Sequence, residues 1–497
     1  MASVVSDVPW VVDGRKGSNP FVYLPRSARI VVIVYFVMWR VFPLLAEMVG
    51  LSNEGIAMQA LSLLTQVAIE CAILYPFLCG RFAGSPIGWA HPLVLPTLVS
   101  IALNILRNPE HLFAPLSVWG PGSEFSHPLI GSWPLGQIQA SQLKLHSITL
   151  LSILSTYAGF SYFRTKRIPH VRLPSLSGYR FFGIFLIFFA VVLFFIERQG
   201  GVIAQMTSLA GGRFRMRELV GHFLVLSNFL PYLLVFWFLY RPRVLKNPLF
   251  IFAFILVCIL QFVVTGSRSG LFVPFAAMLV AWMLVRHRFP ALRAAMLGLL
   301  AFVFLGALGE VRQSGNQGQV SFEALLDGNV VENWERTQEA LDAQDRGTNL
   351  AVAALVPGEV DHLWGRSYVA AGAFWLPRSL WRDKPRGIGP HVAALLYGGR
   401  SSMDGYKGAG YPVSAQSEAY WNFGWLGVPI VFFLYGGLVR FVADWRERAS
   451  NDPVAAMVLV LMVFQFASPS TVSMVSFLQN LVLLAITVFV AKVRIAR

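Results

Sequence analysis

The chain has 497 residues, of which 56% are apolar and 14% aromatic while 13% carry charge, a composition remote from that of soluble domains. The charges fall between long apolar blocks instead of along amphipathic faces, so a net charge of +15 and a mean hydropathy of +0.60 describe a membrane protein. No basic stretch interleaved with aromatics is long enough to track a nucleic acid, so no nucleic-acid partner is expected. Cys71, Cys79 and Cys258 lie apart inside apolar blocks and read as small hydrophobes, with neither disulfide nor zinc expected.

In chain order, residues 1–29 form a polar tail carrying Arg15, Lys16, Arg26 and Arg29, too long and polar for a cleavable signal, so the first span is expected to remain as an anchor. A window of about twenty residues predicts spans near 30–49, 58–79, 87–105, 144–163, 179–196, 220–240, 247–265, 270–286, 290–308, 422–441, 453–468 and 473–491. The expected fold is an all-α polytopic integral membrane protein of about 12 transmembrane helices. Alternate connections are basic: Arg81; Arg164, Lys166, Arg167 and Arg172; Arg241, Arg243 and Lys246; Arg286, Arg288 and Arg293; Arg440, Arg446 and Arg448; Lys492, Arg494 and Arg497. By the positive-inside rule both termini are then cytoplasmic.

That orientation places segments 106–143, 197–219 and 309–421 outside, the last as a large loop domain between spans 30–308 and 422–497. From Glu310 to Asp361 this loop carries ten acidic and three basic residues; from His362 to Tyr420 it carries seven basic and three acidic. In the acidic half, Asn329 and Glu332 begin an expected amphipathic helix with Val330, Val331, Trp334 and Leu341 on one face.

Three outer clusters carry unusual arginine. The run GGRFRMRE sets Arg213, Arg215 and Arg217 on one side of an extended segment, where they suit either phosphate or lipid headgroups. The turn TGSRSG holds Arg268 beside the apolar layer, where a charge needs a partner. The segment WGRSYVAAGAFWLPRSLWRDKPRGIGP supplies Arg366, Arg378, Arg382, Lys384 and Arg386 among Tyr368, Trp375 and Trp381, a mixture suited to a phosphorylated glycan. The loop closes with GAGYPVSAQSEAYWNFGWLGVP, where Glu418 stands near the membrane as a candidate general base or a structural partner for one of the arginines, with Tyr420 beside it as a sugar contact. His391 and Asp404 are further candidates for the base, and His362 and His222 weaker ones. No P-loop, HExxH, GxSxG or dinucleotide fingerprint stands in a convincing context, so an outer-face reaction must use a donor that is already activated.

With many spans, one large late outer loop, TGSRSG, LPRSLWRDKPRG and SEAYWNFGWLG, the chain resembles the bacterial oligosaccharide repeat-unit polymerases, the Wzy-type O-antigen polymerase family. The resemblance implies a GT-C-like inverting glycosyltransferase of the inner membrane that needs no metal or cofactor and extends a glycan carried on undecaprenyl pyrophosphate. It further implies membrane lipids, a flippase and a chain-length-regulating co-polymerase as partners. Carried onto this sequence, it makes Arg268 and the cations from Arg378 to Arg386 pyrophosphate ligands and sets Glu418 near the acceptor sugar; for Arg213, Arg215 and Arg217 no close motif match supports the same role. An O-antigen ligase delivering glycan to lipid A core, and a transporter or flippase for an anionic lipid-linked glycan, are the competing readings, the latter suggested by a break at SPST, residues 468–471.

Overall fold

The structure is a computed structural model that describes residues 26–49, 56–89, 91–98, 133–164, 176–198, 200–201, 221–265, 268–286, 347–376, 380–396, 413–448 and 452–492. The described elements are α1 (Arg26–Phe36), a π-helical turn (Val37–Val41), α2 (Phe42–Val49), α3 (Ile56–Cys79), a two-residue hairpin of β1 (Arg81–Phe82) and β2 (Ser85–Pro86), α4 (Leu135–Tyr162), α5 (Gly178–Arg198) and α6 (Gly221–Tyr240). They continue with α7 (Pro248–Thr265), α8 (Arg268–Arg286), α9 (Arg366–Gly372), α10 (Ile388–Leu396), α11 (Ala415–Arg448), α12 (Pro453–Gln465) and α13 (Thr471–Ala491).

Stretches Ala57–Cys79, Gly178–Arg198, Ala415–Glu447 and Thr471–Ala491 are long and apolar enough to cross a membrane. Four shorter apolar helices, Val225–Tyr240, Pro248–Val264, Val273–Arg286 and Pro453–Gln465, pack among them. Two helices start earlier than hydropathy predicts. α4 begins at Leu135 and not near 144, because its first turns hold Gln137, Gln139 and Lys144, which a hydropathy window rejects. α11 begins at Ala415 and not near 422, because Glu418 and Asn422 lower the local hydropathy. Of the span expected at 87–105 the described part ends at 98, and the span at 290–308 and the helix expected from Asn329 lie outside the described residues.

The closest packing joins α4 to α11. In lipid there is little hydrophobic drive between helices, so small residues that let backbones meet take its place. A Cβ on Gly159 would lie 1.9 Å from the Phe433 carbonyl oxygen, and one on Gly436 would lie 2.1 Å from that of Thr156. The two helices run in the same direction. Lys144 near the start of α4 lies over the Tyr420 ring near the start of α11, 4.7 Å from its centroid, and Gly437 meets the Phe163 ring where α4 ends.

α13 starts beside the first turn of α11, where Thr471 meets Glu418, and leads away from that end of the bundle. At the far end Arg440 pairs with Asp444 at 2.9 Å and donates to the Ala83 carbonyl at 2.9 Å, while Arg180 donates to that of Lys492 at 2.6 Å. The Leu176 N–H donates to the Tyr240 hydroxyl at 2.9 Å, and Arg241 stacks on Trp237. The described basic connections around Arg81, Arg241, Arg440 and Lys492 thus share one end, as their alternation along the sequence requires. Between the ends, Arg40 in the π-helical turn pairs with Glu70 of α3 at 2.7 Å, satisfying two charges that hydropathy alone did not connect.

Gly159→Val and Gly436→Val are expected to lower stability by about 1–3 kcal/mol or more, since backbone oxygens block the added carbons. Gly183→Ala, whose added Cβ meets nothing within 4 Å, should be neutral or slightly stabilising. Thermal unfolding in detergent checks this; three equal melting curves would contradict the close α4–α11 contact.

Candidate active site

At the end of the bundle opposite the basic connections, the segment 347–396 packs directly onto the starts of α4 and α11. Ala351, Val352, Val356, Leu363, Ile388, Val392 and Leu396 share one buried cluster with Ile148, Tyr420, Trp421, Val428 and Phe432. Trp421 is its largest member, 1% exposed, with its indole N–H given to the Asp361 carbonyl.

The site forms around a break in α11. Gly424 adopts φ 64° and ψ −154°, a conformation open to glycine, and interrupts the helix. Carbonyls of Trp421 and Asn422, which an unbroken helix would bond to residues four positions on, instead accept from the N–H groups of Leu363 and Trp364, both at 3.0 Å. The His362 ring adds a contact at 3.2 Å between Nδ1 and the Trp421 carbonyl. Gly365, at φ 81°, then turns the chain so closely against Phe423 that a Cβ would lie 3.0 Å from its ring. From this turn α9 starts, bringing Arg366, Ser367 and Tyr368 over the break.

Glu418 is fully buried and accepts three hydrogen bonds: from Ser367 Oγ at 2.8 Å, from Thr471 Oγ1 at 2.5 Å and from the Thr471 N–H at 2.9 Å. The Thr471 N–H opens α13, so a carboxyl group faces the positive end of that helix. Asn422 closes the cluster, its Nδ2 donating to Ser367 Oγ and to the Glu418 carbonyl, each at 2.8 Å. The Asn422 Oδ1 and the Tyr368 hydroxyl are buried without a hydrogen-bond partner among the described residues.

His391 on α10 sits against Trp421, with ring centroids 6.2 Å apart. Burial, and then the charges of Arg366 and Arg386, hold its pKa below the usual imidazole range, so the ring is neutral at pH 7. Neither ring nitrogen has a hydrogen-bond partner among the described residues. Arg366 is exposed and its guanidinium makes no ion pair among the described residues. Two cations beside a neutral imidazole can bind an anion and accept a proton from a group held next to it.

The structure sorts the expected site residues unequally. It brings His391 and Arg386 together and adds Arg366, which sequence reasoning had placed only within the third arginine cluster. Arg382 is exposed, Lys384 donates to the Leu376 carbonyl at 3.0 Å, and Trp375 and Trp381 present exposed rings. Tyr420, expected as a sugar contact, is 2% exposed, gives its hydroxyl to the Val356 carbonyl and lies beneath Lys144. Of the two readings of Glu418, the geometry displays structural partners, and these are hydroxyls and a helix end in place of an arginine. Arg268 opens α8, while Asp404, Arg378, Arg213, Arg215 and Arg217 lie outside the described residues. Sequence reasoning missed Ser367, Thr471 and Lys144; the SPST break was the one signal for Thr471.

The family model described as O-antigen polysaccharide polymerase Wzy matches residues 402–496. Over that stretch of 95 of its 497 residues the chain is similar to the Wzy-type polymerases. The matched stretch contains α11, α12 and α13, hence Glu418, the Gly424 break and Thr471. Neither the curated proteins nor the solved structures gave a match. The match and these apolar helices fit a membrane protein of polysaccharide biosynthesis.

Arg366→Ala and Arg386→Ala should each raise the His391 pKa, because a neighbouring positive charge disfavours imidazolium and its removal relieves that penalty. Titration of isotope-labelled histidine by NMR reads the change directly. Titrations that superpose on that of the parent protein would show that these charges do not reach His391.

Proposed function

We propose that the protein extends a surface glycan at the outer face of a bacterial inner membrane, moving the nascent chain from undecaprenyl pyrophosphate onto an incoming lipid-linked repeat unit. The carrying observation is that the Wzy-type match covers the helices that build the buried Glu418 cluster, directly beneath the Arg366, Arg386 and His391 group. Both termini are cytoplasmic and about 12 spans cross the bilayer in this reading.

The chemistry follows from the groups present. An acceptor hydroxyl attacks the anomeric carbon, the bond from that carbon to the pyrophosphate oxygen breaks, and the electron pair leaves with undecaprenyl pyrophosphate. Arg366 and Arg386 bind the leaving group as its charge rises, the kind of electrostatic stabilisation that supplies much of the rate in such transfers. Neutral His391 takes the hydroxyl proton, a role that Asp404 is the alternative to fill. Direct displacement inverts the anomeric configuration and calls for no metal. Arg382, Lys384, Arg378, Arg268 and the Arg213, Arg215 and Arg217 run add positive potential for the diphosphate, and Trp375 and Trp381 offer aromatic faces to sugar rings. A flippase that delivers lipid-linked units, and a co-polymerase that limits chain length, are the partners this reaction requires.

Purified protein in vesicles, given undecaprenyl-pyrophosphate-linked repeat units, should yield a ladder of products that persists in the presence of a chelator. Arg366→Ala and Arg386→Ala should each lower kcat/KM by about a hundredfold, equivalent to losing one strong charge-assisted contact in the transition state, while inserting normally. Well-inserted variants with full activity would remove these arginines from the mechanism. Transfer only to a lipid A core acceptor would make the protein a ligase, and lipid movement without glycosidic bond formation would make it a transporter.

A further inference from the structure

We infer that Glu418 is a positioning residue that holds Arg366 in place through Ser367, and not the group that takes the proton. The inference rests on the proposed role of Arg366 and deepens it. A carboxylate acting as base needs a free oxygen within reach of the acceptor hydroxyl. Glu418 has no exposed surface, and protein donors engage both of its oxygens: two hydroxyls on Oε1 and a helix N–H on Oε2.

The same contacts explain what Glu418 fixes. α9 has only seven residues, too few to persist without tertiary support, and its course is set at two points. One is the Gly365 turn against Phe423; the other is the Ser367 hydroxyl, which donates to Glu418 and accepts from Asn422. Arg366 is the residue between these two points. Thr471, bonding Glu418 through its N–H and its hydroxyl, ties the whole assembly to the start of α13. Glu418 thereby joins three elements far apart in sequence and sets where the guanidinium stands relative to His391.

Three full-length variants in lipid vesicles test this: Ser367→Ala, Thr471→Val and Glu418→Gln. Ser367→Ala is expected to lower kcat/KM for the lipid-linked donor about tenfold, because a displaced Arg366 holds the departing pyrophosphate less well. It should also move the His391 titration upward as Arg366 shifts away, which simple loss of stability would not do. Thr471→Val should do the same more weakly. In Glu418→Gln the amide can still accept from the Thr471 N–H and donate to the hydroxyls, so kcat/KM should stay within about tenfold of the parent. A folded Glu418→Gln variant whose kcat falls by about a thousandfold at unchanged KM would make Glu418 the base and overturn the inference. Ser367→Ala with neither a change in kcat/KM nor a His391 shift would overturn it as well. If the parent protein forms no polymer, the proposed function fails, while the His391 titration still decides whether Ser367 and Glu418 position Arg366.

Discussion

A helix broken within a membrane must have its freed carbonyls satisfied by other protein groups, because hydrocarbon supplies no hydrogen bonds. The break at Gly424 imposes that requirement on α11, and the strand of chain from His362 to Trp364 meets it by bonding the carbonyls of Trp421 and Asn422. Much of the site follows from this one repair. Once 362–364 is anchored, Gly365 must turn against Phe423, α9 must start above the break, and Arg366 must stand near α10 and His391.

The repair holds because the platform beneath it is rigid. α11 meets α4 with backbone against backbone at Gly159 and Gly436, a contact that leaves no room for sliding. Lys144, anchored on α4, donates to the Val356 carbonyl at 2.7 Å and covers Tyr420, so the outer segment is fastened to both helices of the pair. The chain thus places the groups proposed to carry the chemistry on short, strongly curved pieces and the precision of their placement on long packed helices.

Hydropathy made most helices legible, since α5, α7 and α13 are long and mostly apolar. It failed where function intrudes. Glu418 and Asn422 delayed the expected start of α11 by several residues, and the glutamines with Lys144 did the same for α4. Arginine-rich composition singled out the segment around 366–386, yet could not say which of its charges act on His391, because that depends on how α9 and α10 pack. The partners of Glu418 were the least legible of all. Ser367 and Thr471 lie 51 and 53 residues from it, and nothing in a single sequence couples a serine in a loop to a threonine opening a late helix.

The account stands on the pyrophosphate of the lipid-linked donor binding at the Glu418 end of the bundle. Photocrosslinking with an undecaprenyl pyrophosphate analogue carrying a reactive group beside the diphosphate, followed by peptide mapping, tests that claim most directly. Labelled peptides from 362–396, over the α11 break, are the result the account predicts. Labelling confined to the opposite end, on peptides holding Arg81, Arg241 or Arg440, would contradict it.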